Sequence, residues 1–140
     1  MKWLLLLAVL SAGNVLAEDA RPLAPLPPAA QESLRVEMLD NLVAINEVLT
    51  LMAAGKTKEA GAAAEASLGV SAMGKHRSKP LDARPGPHMP PAIHGIGIDR
   101  HNAVSEFAKV AASGDRDRAI ALLPNLTGAC VACHFSYRTR

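Results

Sequence analysis

Cys130 and Cys133 stand three residues apart, and His134 follows directly. Cys-x-x-Cys-His is the attachment signature for c-type haem. Each thiol can add across a vinyl group of the porphyrin to give a thioether, and the adjacent imidazole can then ligate the iron. On a helix, residues three apart share a face and the next residue lies one step further round, so one flat ring can meet all three side chains. The same two thiols could instead form a disulfide, a redox dithiol or half of a zinc site. Zinc usually takes four ligands. The chain has only two cysteines, although its five histidines leave a two-cysteine, two-histidine site open. A thioredoxin-like dithiol follows a strand in a βαβ unit, and nothing upstream of Cys130 has that pattern. Haem attachment is the favoured reading.

The N-terminus speaks for export. Met1-Lys2 is a short positive start, Trp3 to Leu10 is apolar, and Val15-Leu16-Ala17 ends on a small residue. That is the pattern of a secretory signal peptide over residues 1–17, cleaved after Ala17. As a membrane anchor the run is too short, and Ser11, Gly13 and Asn14 interrupt it, so no stable membrane span is expected after cleavage. The expected location is the periplasm, an oxidising compartment in which thioether attachment accounts for both thiols. The remaining length suits one domain. Lys+Arg 15 against Asp+Glu 13 gives a formal net charge of +2, which falls to +1 without Lys2. That near-balance excludes a nucleic-acid-binding signature. After residue 17 the aromatics are Phe107, Phe135 and Tyr137; a porphyrin would supply the bulk that so few rings cannot.

Elements must then position the motif. Residues 18–30, with Pro22, Pro25, Pro27 and Pro28, read as an extended, mobile lead-in. Residues 31–54 form a long helix whose apolar stripe runs Leu34, Met38, Leu42, Ile45, Leu49 and Met52, with Arg35, Glu37 and Asp40 mostly off it. Gly55 is the stop. Residues 56–68 form a shorter, alanine-rich helix weakened by Gly61. Residues 69–91 are a long Pro- and Gly-punctuated connection holding His76, His88 and Met89. A third helix covers 92–112, opened by Pro91, with Ile93, Ile96, Val104, Phe107 and Ala111 inward. A fourth covers 115–137, where Pro124 should kink or break it. No strand-like alternation occurs. The expected class is all-α, a four-helix bundle.

A haem motif on the last helix, extended as Cys130-Val-Ala-Cys133-His134-Phe-Ser-Tyr137-Arg138, resembles the cytochrome c-prime family. So do Leu34-Arg35 and Ala54-Gly55-Lys56 at the two ends of the first helix, and Phe107-Ala108 ahead of the Gly114-Asp115 turn. The resemblance covers most of residues 31–140 and is specific at 130–138. It implies an antiparallel four-helix bundle with a short second helix and one covalently bound haem c, making 31–140 a cytochrome c-prime-like haem domain. Cys130, Cys133 and His134 would bind the cofactor, His134 as proximal iron ligand, with the distal face against the first helix. It also implies a homodimer through the first helices, and a place for Arg138 near a propionate. The ordinary reading of Arg138 is a helix-end cation favoured by the dipole. The short second helix and the loop 69–91 depart from the family pattern.

The sixth ligand decides the chemistry. A His/Met pair suits electron transfer, whereas an open site binds a diatomic ligand. A gapless match on Arg35 and Gly55 places Leu39 at the family's distal position. Periodicity places Met38 at the centre of the stripe, and one residue rotates a helix position by about 100°. Met89, in His88-Met89-Pro90-Pro91, is a third candidate; Met52 is nearly four turns from Met38 and too far. Met on an apolar stripe is also common core packing. His94 and His101 share a helix face and, with His76 and His88, could form a second metal site, although no close i, i+4 pair exists.

The leading expectation is a monohaem electron carrier, not an enzyme, serving redox partner proteins. The alternative is a five-coordinate haem protein that binds nitric oxide or carbon monoxide. Peroxidase-like activity would need a distal acid–base group.

Overall fold

Proline has no N–H to forfeit at the first helical position, and its fixed φ suits the first turn. The first helix accordingly begins at Pro28, ahead of the apolar stripe, and α1 spans Pro28–Ala53. Its stop is Gly55, at φ 74°. The Gly55 amide donates to Met52 O (3.1 Å) and the Lys56 amide to Leu51 O (2.9 Å). That pair of bonds requires a left-handed residue there, and glycine adopts it without strain. In this computed structural model, which describes residues 18–140, α2 spans Thr57–Leu68, α3 spans Pro91–Ala112 and α4 spans Arg116–Ser136. Among the described residues the chain is all-helical apart from one isolated bridge, between Leu23 and Arg138. The signal-peptide reading of residues 1–17 lies outside the described residues.

The closest packing joins α2 to α3. Ala60 and Ala64 are fully buried. A Cβ on Gly61 would stand 2.7 Å from Ala111 Cβ and 3.0 Å from Ala108 O. Gly61 weakens the helix by propensity but permits backbone approach. Phe107, Val104, Leu68, Val48 and Leu126 fill the centre of this core. α3 also packs along α4, and α1 along α2, whereas α1 and α4 barely meet.

Four expectations need correcting. Pro124 does not break α4, which continues unbroken to Ser136. Pro124 and Ile120, whose carbonyl loses its partner, are both exposed, so solvent can satisfy that oxygen. The lead-in is extended but not free. Ala24 N donates to Arg138 O (2.8 Å), Arg138 N to Pro22 O (3.0 Å) and Arg138 Nε to Arg21 O (3.0 Å), and Ala24 and Leu26 are buried. Arg138 thus lies beyond the end of α4 and fastens the lead-in. The loop 69–90 is not a structureless connection: it carries short 3-10 turns at Val70–Ala72, Leu81–Ala83 and Gly86–His88 and folds along α1. There Lys79 Nζ donates to Ser33 Oγ (2.9 Å), covering a length of α1 that α2 is too short to reach.

The fourth correction concerns α1. Its buried residues are Ala30, Ser33, Asn41, Ala44, Val48 and Met52. Of the large apolar stripe only Met52 is among them; Leu42 is 64% exposed, and Leu49 is exposed too. Small side chains face α2 and the loop, because they allow close approach. The large ones face the gap towards α4.

Candidate haem site

α4 starts on Asp115, whose carboxylate accepts from Arg118 N (3.1 Å), and its helical geometry carries through Cys130, Cys133 and His134. The three side chains therefore lie within about 100° of one another on one flank. Cys130 and Cys133 are half-buried and reduced, and His134 is exposed. Burial, and then the neighbouring Cys130, pushes the Cys133 thiol up, while Arg100 pulls it down. A thiol held protonated is slow to attack a disulfide or metal.

α1 comes near the α4 end of the chain at two places. Near the start of α1, Leu34 gathers with Cys133, Tyr137 and Met89 on a small cluster of Ala24, Leu26, Ala30 and Ile93, and Gln31 Nε2 donates to Thr139 O. Further along, Ile45, Val48 and Leu49 face Leu123, Pro124, Leu126 and Thr127 across a cleft of about 320 Å³. Met38 lies one turn beyond Leu34 on the same side of α1. It is half-buried, whereas Leu39, one step round, is 52% exposed. Met89 shares the Cys133 end.

The residues around this gap fit a flat apolar ring. α4 has a mean hydropathy of 1.4 over a window only 11% of which is buried; by length and composition alone it would pass for a membrane span. Val131 and Phe135, next to the cysteines in sequence, are exposed, as is Leu42 on α1. On α3, a Cβ at Gly97 would meet nothing within 4 Å. A polar element accompanies these. Glu37 is paired with His76 Nε2 at 2.9 Å, Arg100 Nη2 at 3.6 Å and Lys75 Nζ at 3.9 Å, with its side chain 15% exposed. From sequence, Glu37 passes for a solvent-facing charge and Arg100 carries no signal; only the packing of α1, α3 and loop 69–90 brings these groups together.

The histidines do not converge. His76 meets Glu37, His88 Nε2 lies 3.0 Å from Leu81 O, and His101 Nδ1 lies 2.7 Å from Leu68 O. Among the described residues no three His, Cys, Asp or Glu side chains could hold a metal ion, which leaves a zinc site or a second metal without a ligand set. A groove of about 570 Å³ between α2 and α3 is lined by Lys58, Gly61, Glu65, Ser105 and Lys109, away from the thiols. No protein-family model, curated protein or solved structure matches the chain.

Proposed function

We propose that this chain is a periplasmic monohaem c-type cytochrome of the cytochrome c-prime kind, an antiparallel four-helix bundle that carries electrons between redox partner proteins. The observation that carries the reading is the helical Cys130–Cys133–His134 flank beside an apolar face of α4 that the polypeptide leaves uncovered. The haem, when bound, supplies one-electron iron chemistry. Cys130 and Cys133 would hold it by thioethers: each sulfur bonds to a vinyl carbon, and the thiol proton goes to the neighbouring carbon of the former double bond. His134 would hold the iron from α4. Met38 would hold it from α1, supported by its half-burial one turn beyond Leu34, which packs on the cluster that holds Cys133. Leu42, Ile45 and Leu49 would exclude water from the ring.

The alternative keeps the sixth position open to nitric oxide or carbon monoxide. The apolar lining of the α1–α4 gap favours it, since Leu42 and Ile45 offer a diatomic ligand no competing donor.

Optical spectra of the purified holoprotein, oxidised and reduced, with and without carbon monoxide, test both. A low-spin spectrum with a methionine–iron charge-transfer band and no carbon monoxide response is the expected result. A high-spin spectrum that shifts with carbon monoxide selects the alternative. Absence of any haem spectrum from a protein expressed with haem-attachment machinery overturns both.

A further inference from the structure

His134 stands two residues before the end of α4 at Ser136. The last four carbonyls of a helix lack partners within it, and a last turn left untied frays. Tyr137 leaves the helix in an extended conformation, and its amide still serves Cys133 O (3.0 Å). The next bond of that ladder would run from Arg138 N to His134 O. Arg138 N donates instead to Pro22 O (3.0 Å). The His134 carbonyl is met from outside the helix, by Arg21 Nη1. The lead-in thus exchanges partners with the end of α4: it takes the Arg138 amide and returns a guanidinium. A cation at this end of a helix is also favoured by the dipole.

That guanidinium is held on its other side. Asp19 accepts from Arg21 Nε (2.8 Å) and Nη2 (2.6 Å), a two-point contact that fixes the plane of the fork. The pair is exposed, at 43% and 40%, so it adds little to stability; what it fixes is a direction. Behind it the segment is fastened to the same stretch of chain. Arg21 O accepts from Arg138 Nε (3.0 Å), and Ala24 N donates to Arg138 O (2.8 Å). Pro22 and Pro25 keep the segment extended, so it loses little chain entropy on docking. Ala24 and Leu26 anchor it in the buried cluster on which Cys133 and Tyr137 pack.

We propose that Arg21 is a positioning residue for the proximal iron ligand: held by Asp19, it fixes the His134 carbonyl and with it the setting of the imidazole against the haem. The proposal rests on the haem reading above. A ligand in a fraying turn samples several ring planes, whereas one whose backbone is tied keeps a single plane.

The test uses holoprotein of wild type, Arg21→Ala, Arg21→Lys, Asp19→Asn and the surface control Arg35→Ala, whose guanidinium pairs with Glu32 in solvent. Haem content is measured first. Amide hydrogen exchange then reads the fastening at Ala24 and Arg138. The spread of the haem methyl proton resonances in the oxidised protein reads the plane of the axial imidazole. Arg21→Ala is expected to speed exchange at both amides by about fivefold, the order of one lost hydrogen bond, and to change the methyl spread. Arg21→Lys returns one charged donor, so exchange should come back to within about twofold of wild type, with the methyl spread following. Asp19→Asn removes the charge that aims Arg21 and should move the spread in the same direction as Arg21→Ala. Arg35→Ala should change neither. Should Arg21→Ala fail to load haem, Asp19→Asn carries the test, and an unmoved spread there overturns the proposal. Faster exchange with an unmoved spread in Arg21→Ala overturns it in favour of a purely structural fastening. Unchanged exchange at both amides overturns it as well, and in each of these cases the cytochrome reading stands. No haem in wild type overturns the reading beneath it.

Discussion

Met38 and Leu39 differ by one position and by about 100° of rotation, and that rotation is what the chemistry turns on. Met38 is half-buried on the side of α1 that carries Leu34; Leu39 is turned to solvent. Met38→Ala should convert the oxidised holoprotein from low to high spin and open it to carbon monoxide, read from the visible spectrum. Met89→Ala should leave the spin state unchanged. Loss of one anchor, Cys133→Ala, should leave haem held by a single thioether, seen as a shifted reduced α-band in the pyridine haemochrome spectrum. At this scale the shared flank of Cys130, Cys133 and His134 was legible in the sequence, because it needs only three residues at fixed spacing on one helix. Glu37 and Arg100 were not legible, because one lies on α1 and the other on α3 and they meet only through tertiary packing, a contact that no local spacing encodes.

Helix ends were legible at Gly55, Pro91 and Asp115, whereas Pro28, read as part of the lead-in, opens α1 three residues before the expected start at 31. The buried side of α1 was not, since periodicity finds the largest apolar side chains, while close helix packing selects the smallest. Gly61 shows the same preference. Gly61→Ala gains about 1 kcal/mol of helix propensity but drives a methyl group into Ala111, and overpacking costs about 1–3 kcal/mol. Net destabilisation of up to about 2 kcal/mol should appear as a lower urea midpoint. Glu65 ties three elements: its carboxylate accepts from Ser105 Oγ (2.5 Å), Ser71 N (3.0 Å) and Ser71 Oγ. Hydrogen bonds from Ser105 first, and then Ser71, hold its carboxyl below the usual range. A group depressed on folding stabilises the fold above its unfolded value and loses that contribution as pH falls through the folded value. Glu65→Gln should therefore cost about 1 kcal/mol at neutral pH, and the gap from wild type should close on acidification below about pH 4, measured by urea titration at each pH.

The molecule as a whole has a core built mainly from α2 with its two neighbours and from α3 with α4, and an apolar gap where a fourth interface would close. Haem would be the missing part. Covering Leu42, 64% exposed, is alone worth about 1–2 kcal/mol, so a Cys130→Ala/Cys133→Ala double variant, which cannot attach haem, should unfold at lower urea and bind a dye for exposed apolar surface. Val36, Leu39 and Val43 lie on the far side of α1 and are also exposed. They offer a stripe for the homodimer that the resemblance implies through the first helices; if it forms there, Val43→Lys should shift the sedimentation coefficient towards monomer without altering the haem spectrum.

The bond from Ala24 to Arg138 bears on the order in which the protein can be made. Synthesis runs from the N-terminus, so residues 19–26 emerge long before residues 133–139 exist to receive them. The first turns of the structured chain must wait, unpaired, for the last helix and the residues after it. The segment that carries the thiols is thus also the segment that seals the fold. Until it docks, Cys130 and Cys133 stand on an open chain, accessible to any machinery that loads them, and once it docks the two ends of the chain are fastened over the finished site.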